Sequence, residues 1–217
     1  MPARILIKLV ALTLVVLLQA ACVIEVHSGG RASDVSRVFG GIDIGTGEEA
    51  GDVESVNGGI VLRDGSSAER VETVNGSVRI YDDVSVYSVE TVNGSIRAGR
   101  NLKVQDDIST INGGIDLRKS SVIKNSVSTV NGTISLSATQ VLRDVETTNG
   151  DIRLLHGSVV SGDVIFHQTG SILYRKINRP RLVVDADSVI KGAVHLYRQV
   201  KLEIADDAWV GEIIEHY

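Results

Sequence analysis

The residues in this chain best suited to chemistry are its paired aspartates, Asp82-Asp83, Asp106-Asp107 and Asp206-Asp207, together with Asp144. Two carboxylates facing across a groove can cleave a glycosidic bond as acid and base or nucleophile. The first two pairs begin 24 residues apart, which does not match the chain's own repeat, so they are expected at solvated turns and not in one cluster. Calcium binding by these pairs would call for the glycine-aspartate nonapeptide of calcium-binding β-rolls, which is missing. His156, His167 and His195 have no metal-ligand spacing, and Cys22 is the single cysteine, so no zinc site is read. No serine sits in a Gly-x-Ser-x-Gly elbow. The reading is therefore of no catalytic residue, no metal and no cofactor. Aromatic residues are 4% of the chain, too few for a sugar-stacking surface. Tyr174, Tyr197, Trp209 and Tyr217 gather near the C-terminus and are expected to cap an edge. Arg175, Lys176, Arg179 and Arg181 around Pro180 form a basic loop, either a solvated turn or a contact for acidic lipid or lipopolysaccharide.

What must position these groups is a repeat. Val53-Glu-Ser-Val-Asn57-Gly-Gly-Ile, Val71-Glu-Thr-Val-Asn75-Gly-Ser-Val and Val89-Glu-Thr-Val-Asn93-Gly-Ser-Ile are followed by Ile108 to Leu117, Val127 to Leu136 and Val145 to Leu154. The Asn-Gly pairs start at Asn57, Asn75, Asn93, Asn112, Asn131 and Asn149, at spacings of 18, 18, 19, 19 and 18 residues. Apolar and polar residues alternate around each pair, as in half-buried strands. Asn-Gly supplies the positive φ that a sharp corner uses. A meander of hairpins would reverse direction at every strand, and a propeller blade is about twice as long. The identical order of each unit instead suits equivalent coils stacked about 4.8 Å apart. The expected fold is all-β, a single-stranded parallel β-helix of about ten coils. Val35 to Ile44 is a seventh copy with Phe39 in place of Asn. Weaker copies are read at His167 to Leu173 around Gly170, at Ile190 to Leu196 around Gly192, and at Trp209 to Ile214 around Gly211.

Stacking predicts rows of like residues. Asn57, Asn75, Asn93, Asn112, Asn131 and Asn149 are expected to form a structural amide ladder inside the corner. Under strict alternation Thr73, Thr91, Thr110, Thr129 and Thr147 point inward with them, and Val56, Val74, Val92, Ile111 and Val130 form an outward apolar stripe. A shift of alternation at the corner would reverse this. An outward stripe would suit a partner chain or a second copy. Glu54, Glu72 and Glu90 form one charged column and Arg79 and Arg97 another, with cross-coil pairing between them as a way to relieve repulsion.

Arg4 and Lys8 precede an apolar run from Leu9 to Leu18 that is too short for a stable membrane helix. The following Gln19-Ala20-Ala21-Cys22 resembles the lipobox of bacterial lipoproteins, with Gln19 as the departure. That resemblance implies cleavage before Cys22 and triple acylation of it, an anchor that does not release. The domains are then a lipoprotein-type signal peptide at 1–21, a tether and cap at 22–34, and the repeat domain with its C-terminal cap at 35–217. The alternative is ordinary cleavage near Ala20 or Ala21, leaving a free thiol able to pair between chains. Loss of Arg4 and Lys8 takes the formal charge from -5 to -7, so nothing electrostatic favours nucleic acid.

The run Val-Glu-Thr-Val-Asn-Gly-Ser-Ile behind such a signal resembles bacterial adhesin-type β-strand-repeat lipoproteins of unknown function. The resemblance implies a right-handed β-helix on the cell envelope without assigned site residues. Val189 to Val194 and Ala208 to Ile213 are also similar to the coils of bactofilins, which polymerise. The expected function is a non-catalytic scaffold or adhesin-like surface. It is lipid-anchored in the outer membrane, facing the periplasm or the cell surface, with a protein partner or self-association. An envelope polysaccharide-binding or polysaccharide-cleaving protein, or a bactofilin-like polymer, are the alternatives.

Overall fold

In the computed structural model, which describes residues 32–168 and 179–217, the chain winds into a right-handed β-solenoid of about nine turns. Every strand pairing is parallel. Each turn has three faces. On the first face Val53, Val71, Val89, Ile108, Val127 and Val145 lie in register. On the second, Ile60, Val78, Ile96, Ile115, Ile134 and Ile152 do so. The third carries Val86, Val104, Ile123, Val141, Val160 and Ile190. Most of these side chains have no exposed surface. Burial of each Val, Ile or Leu contributes roughly 1.5–3 kcal/mol, and the core is one continuous column of such rows.

The irregular period has a structural cause. Val86 and Val89 stand three apart, and strand Ser85–Thr91 runs unbroken from third face to first. Val104 and Ile108 stand four apart, and the extra residue breaks that strand into Lys103–Val104 and Ile108–Asn112. The coil after Asn131 keeps this addition yet returns to 18 residues, because Leu136 and Val141 are five apart where Leu117 and Ile123 are six. Length changes are absorbed at two corners, while the Asn-Gly corner keeps constant length in all six copies.

That corner does not work as the sequence suggests. None of Asn57 to Asn149, nor the glycine after each, has positive φ. Positive φ falls instead between the second and third faces, at Gly47, Gly65, Asp83, Asn101, Ser120, Ala138, His156 and Gly157, and at this corner only at Gly40 of the upstream copy, which has Phe39 in place of Asn. The Asn-Gly glycine answers a different constraint, close approach of backbones. A Cβ on Gly76, Gly94, Gly113 or Gly132 would overlap the carbonyl of the equivalent glycine one coil earlier.

Two downstream assignments shift by part of a coil. Gly192 stacks on Gly162 and Gly211 on Gly192, at the corner between third and first faces, and Val194 pairs with Val164 on the first face. The upstream copy stands, with Phe39 opposite Asn57 and Ile42 opposite Ile60.

Candidate functional site

The rows create chemistry at the corners. Asn75 Nδ2 donates to Asn57 Oδ1 at 3.0 Å, and Asn93, Asn112, Asn131 and Asn149 each donate to the Asn of the coil before at 2.9 Å. Asn57 to Asn131 are exposed, so this ladder lies on the outside of the corner and not within it. Alternation breaks at the corner. The threonines face the core and the Val/Ile column is half-buried beside the Asn row. Thr73, Thr91, Thr110 and Thr129 donate at 3.0 Å to the carbonyls of Gly58, Gly76, Gly94 and Gly113. Each buried hydroxyl thus holds the glycine carbonyl against which the next coil packs, leaving no room for a Cβ.

The ladder ends on an arginine. Arg198 Nη1 donates at 2.8 Å both to Asn149 Oδ1 and to the Thr148 carbonyl, and Arg198 is 3% exposed. Arg198 follows Val194, which stands two pairings on from Val145, so its guanidinium closes the last amide from a later coil. A polar cleft of about 250 Å³ opens there, lined by Thr133, Asn149, Asp151, Pro180 and Arg198 among others. Among the described residues Asp151 is the one acid of its lining, and its Oδ2 already accepts from Arg181 Nε and Nη2. A glycosidase pair needs two carboxylates about 5–9.5 Å apart, and this lining offers one.

The paired aspartates serve the stack. Asp82 accepts the backbone N–H and the guanidinium of Arg100, which holds its carboxyl below the ordinary carboxylate range. Asp83 accepts Asn101 Nδ2, Asp106 accepts Asn125 Nδ2, and Asp107 accepts the Ser126 N–H. Asp144 accepts the Asp163 N–H. In each case a carboxylate caps the N–H or amide of the following coil, the use that charge-assisted hydrogen bonds favour. Asp206 and Asp207 lie at the turn before Trp209. Arg175 and Lys176 lie outside the described residues, as does Tyr174; Arg181 is committed to Asp151.

Charge columns form without the anticipated pairing. Glu54, Glu72 and Glu90 align on the first face, whereas Arg79 and Arg97 align on the second. The arginines that make ion pairs take aspartates instead, Arg63 with Asp43 on the second face, Arg70 with Asp52, Arg100 with Asp82, and Arg153 and Arg181 with Asp151. Burial first, and then Glu90 and Glu54, push the Glu72 carboxyl up to about 7. Burial and Asp52 raise Glu54 as well.

At the C-terminal end of the first face the outward row becomes imidazole and phenol. His167, Tyr197 and His216 stack nearly parallel, with Tyr197 and His216 ring centroids 4.2 Å apart. His167 Nε2 meets Glu146 Oε2 at 2.8 Å, and His195 Nδ1 meets His216 Nε2 at 3.1 Å. Sequence reasoning passed over His216. Its offset of 21 residues from His195 is a coil plus two, the diagonal of a parallel pair. Tyr197 therefore belongs to a lateral stack, not to an edge cap. His156 stands apart, its Nδ1 against Ser137 Oγ. Among the described residues no group of three or more His, Cys, Asp or Glu forms a metal cage.

The last coil is open. Leu202 and Ile213 occupy inward rows that are fully buried in earlier coils, yet they are 37% and 39% exposed, and Trp209 is 54% exposed. Cys22 and residues 1–21, read from the sequence as an export signal, lie outside the described residues. Among the described residues no helix is long and apolar enough to cross a membrane. No protein-family model, no curated protein and no solved structure matches this chain.

Proposed function

We propose that this chain is a cell-envelope lipoprotein, anchored through Cys22, whose solenoid is a rigid non-catalytic scaffold or adhesin-like surface. The lipobox-like Gln19-Ala20-Ala21-Cys22 motivates the anchor and the outer-membrane location. One observation carries the scaffold role: Asp82, Asp83, Asp106, Asp107 and Asp144, the acids nearest to a catalytic pattern, accept hydrogen bonds from the next coil. A carboxylate fixed in that way braces the rod and is not available to a substrate. The anchor is tested by labelled palmitate in cells producing the wild type or Cys22→Ser. Label is expected in the wild type and lost from the variant; equal labelling of both would remove the anchor.

A second reading, self-association through the ends, is favoured by the exposed inward rows at Leu202 and Ile213. Apolar rows and strand edges of this kind are covered by like strands in most sheets. Light scattering over a concentration series is expected to give a mass that rises with concentration, and that falls back to one chain in Leu202→Lys/Ile213→Lys. A constant monomer mass for the wild type would dismiss this reading.

A further inference from the structure

We infer that His195 and His216 form a two-imidazole site for a late first-row divalent metal ion such as zinc or copper(II). The inference does not rest on the lipoprotein reading. His195 Nδ1 and His216 Nε2 face one another at 3.1 Å. An ion about 2.05 Å from each nitrogen would subtend an angle near 100°, within the range of four-coordinate zinc. Parallel register makes the pair: His195 lies opposite Ile214 and Leu196 opposite Glu215, so His216, two residues beyond the partner of His195, approaches it on the diagonal, a separation that aromatic rings span.

The surroundings fit ligation on three counts. Asp163 Oδ2 lies 3.6 Å from His195 Nε2. Its charge, beyond hydrogen-bond distance, favours the tautomer with the ring proton on that nitrogen, which turns the Nδ1 lone pair toward His216. Asp163 is itself fixed, because its Oδ1 accepts the Ala193 N–H at 2.8 Å. Tyr197 packs on the His216 ring at 4.2 Å with 7° between planes, which limits ring rotation. Late first-row ions suit imidazole donors, with copper(II) the tightest. With two protein ligands the remaining positions go to water, so the site is open and exchangeable.

The test is calorimetric titration of the full chain carrying Cys22→Ser, so that no thiol competes, with zinc chloride and with copper(II) at pH 7.5. One equivalent per chain is expected, with copper(II) tighter. His195→Ala and His216→Ala should each weaken binding at least tenfold, Asp163→Asn about tenfold, and His156→Ala not at all. Imidazole ¹⁵N spectra of the chain with its histidines intact give a reading that does not depend on how the variants fold. Zinc should shift His195 and His216 and leave His156 in place. Absence of saturable binding, retention of it in His195→Ala/His216→Ala, or equal shifts at all three rings would overturn the site.

Discussion

Gly113→Ala is expected to destabilise the solenoid by about 3 kcal/mol or more, the upper part of the range for forcing atoms into a filled interior. The added methyl would overlap the Gly94 carbonyl, which already receives the Thr110 hydroxyl. Relief would require two coils to separate. Such a separation would also stretch the amide contacts of Asn112 with Asn93 and of Asn131 with Asn112. Gly65→Ala is the contrasting case. Gly65 has φ +69° and open space around its Cβ position, so its cost is the left-handed penalty alone, about 1–2 kcal/mol. Urea midpoints at unchanged slope would rank the two. Equal costs would mean that the Asn-Gly glycine is there for its backbone angles after all.

Glu72→Gln is expected to stabilise the fold at pH 8 and to have little effect near pH 4.5. The folded-state carboxyl titrates at about 7, above its ordinary value of about 4.3 in an unfolded chain. Between those values the folded state holds more protons, so stability is greatest at the acid side and declines as pH rises toward 7 and just beyond. Full conversion of the shift would overstate the effect, because Glu72 is only partly buried and solvent screens Glu54 and Glu90. A gain of about 1–2 kcal/mol for the variant at pH 8 is the discounted figure. Added salt should reduce the part due to Glu54 and Glu90 and leave the part due to burial. A wild-type to variant difference that is the same at pH 5 and pH 8 would contradict this account of the column.

The stacked fold was legible because the repeat leaves its mark on every coil. Val or Ile four before each Asn and three after it became the inward rows of the first and second faces. The misread glycines share one physical cause, that a glycine required by close backbone approach looks the same in sequence as one required by a turn. That ambiguity assigned positive φ to Asn57 through Asn149, where it is absent, and missed it at Asp83, Ser120 and Ala138. It also aligned Gly192 and Gly211 with the Asn-Gly corner, although they stack along another edge. Alternation left open which of the Thr and Val/Ile columns faces the core; the threonines do, yet the Asn two residues on faces outward, because the period of two ends at the corner.

The side-chain sites were less legible, since they depend on register across coils of unequal length. Arg198 reaches Asn149 from 49 residues on, and no local motif announces that pairing. His195 and His216 meet only through the diagonal of a parallel pair. The corner acids were expected at turns and lie there, but their part in receiving the next coil's N–H groups requires knowledge of which residue stands above.

The central claim, coils stacked in register along one axis, is tested most directly by distances between paired spin labels placed along a single outward row. In a Cys22→Ser chain, cysteines replacing Ser36 and Ser109, Ser36 and Ser128, or Ser36 and Ile165 mark first-face positions joined by successive pairings. The stack predicts separations of about 19, 24 and 34 Å, a linear rise of about 4.8 Å per coil. Distances that fail to grow with the number of intervening coils would contradict it.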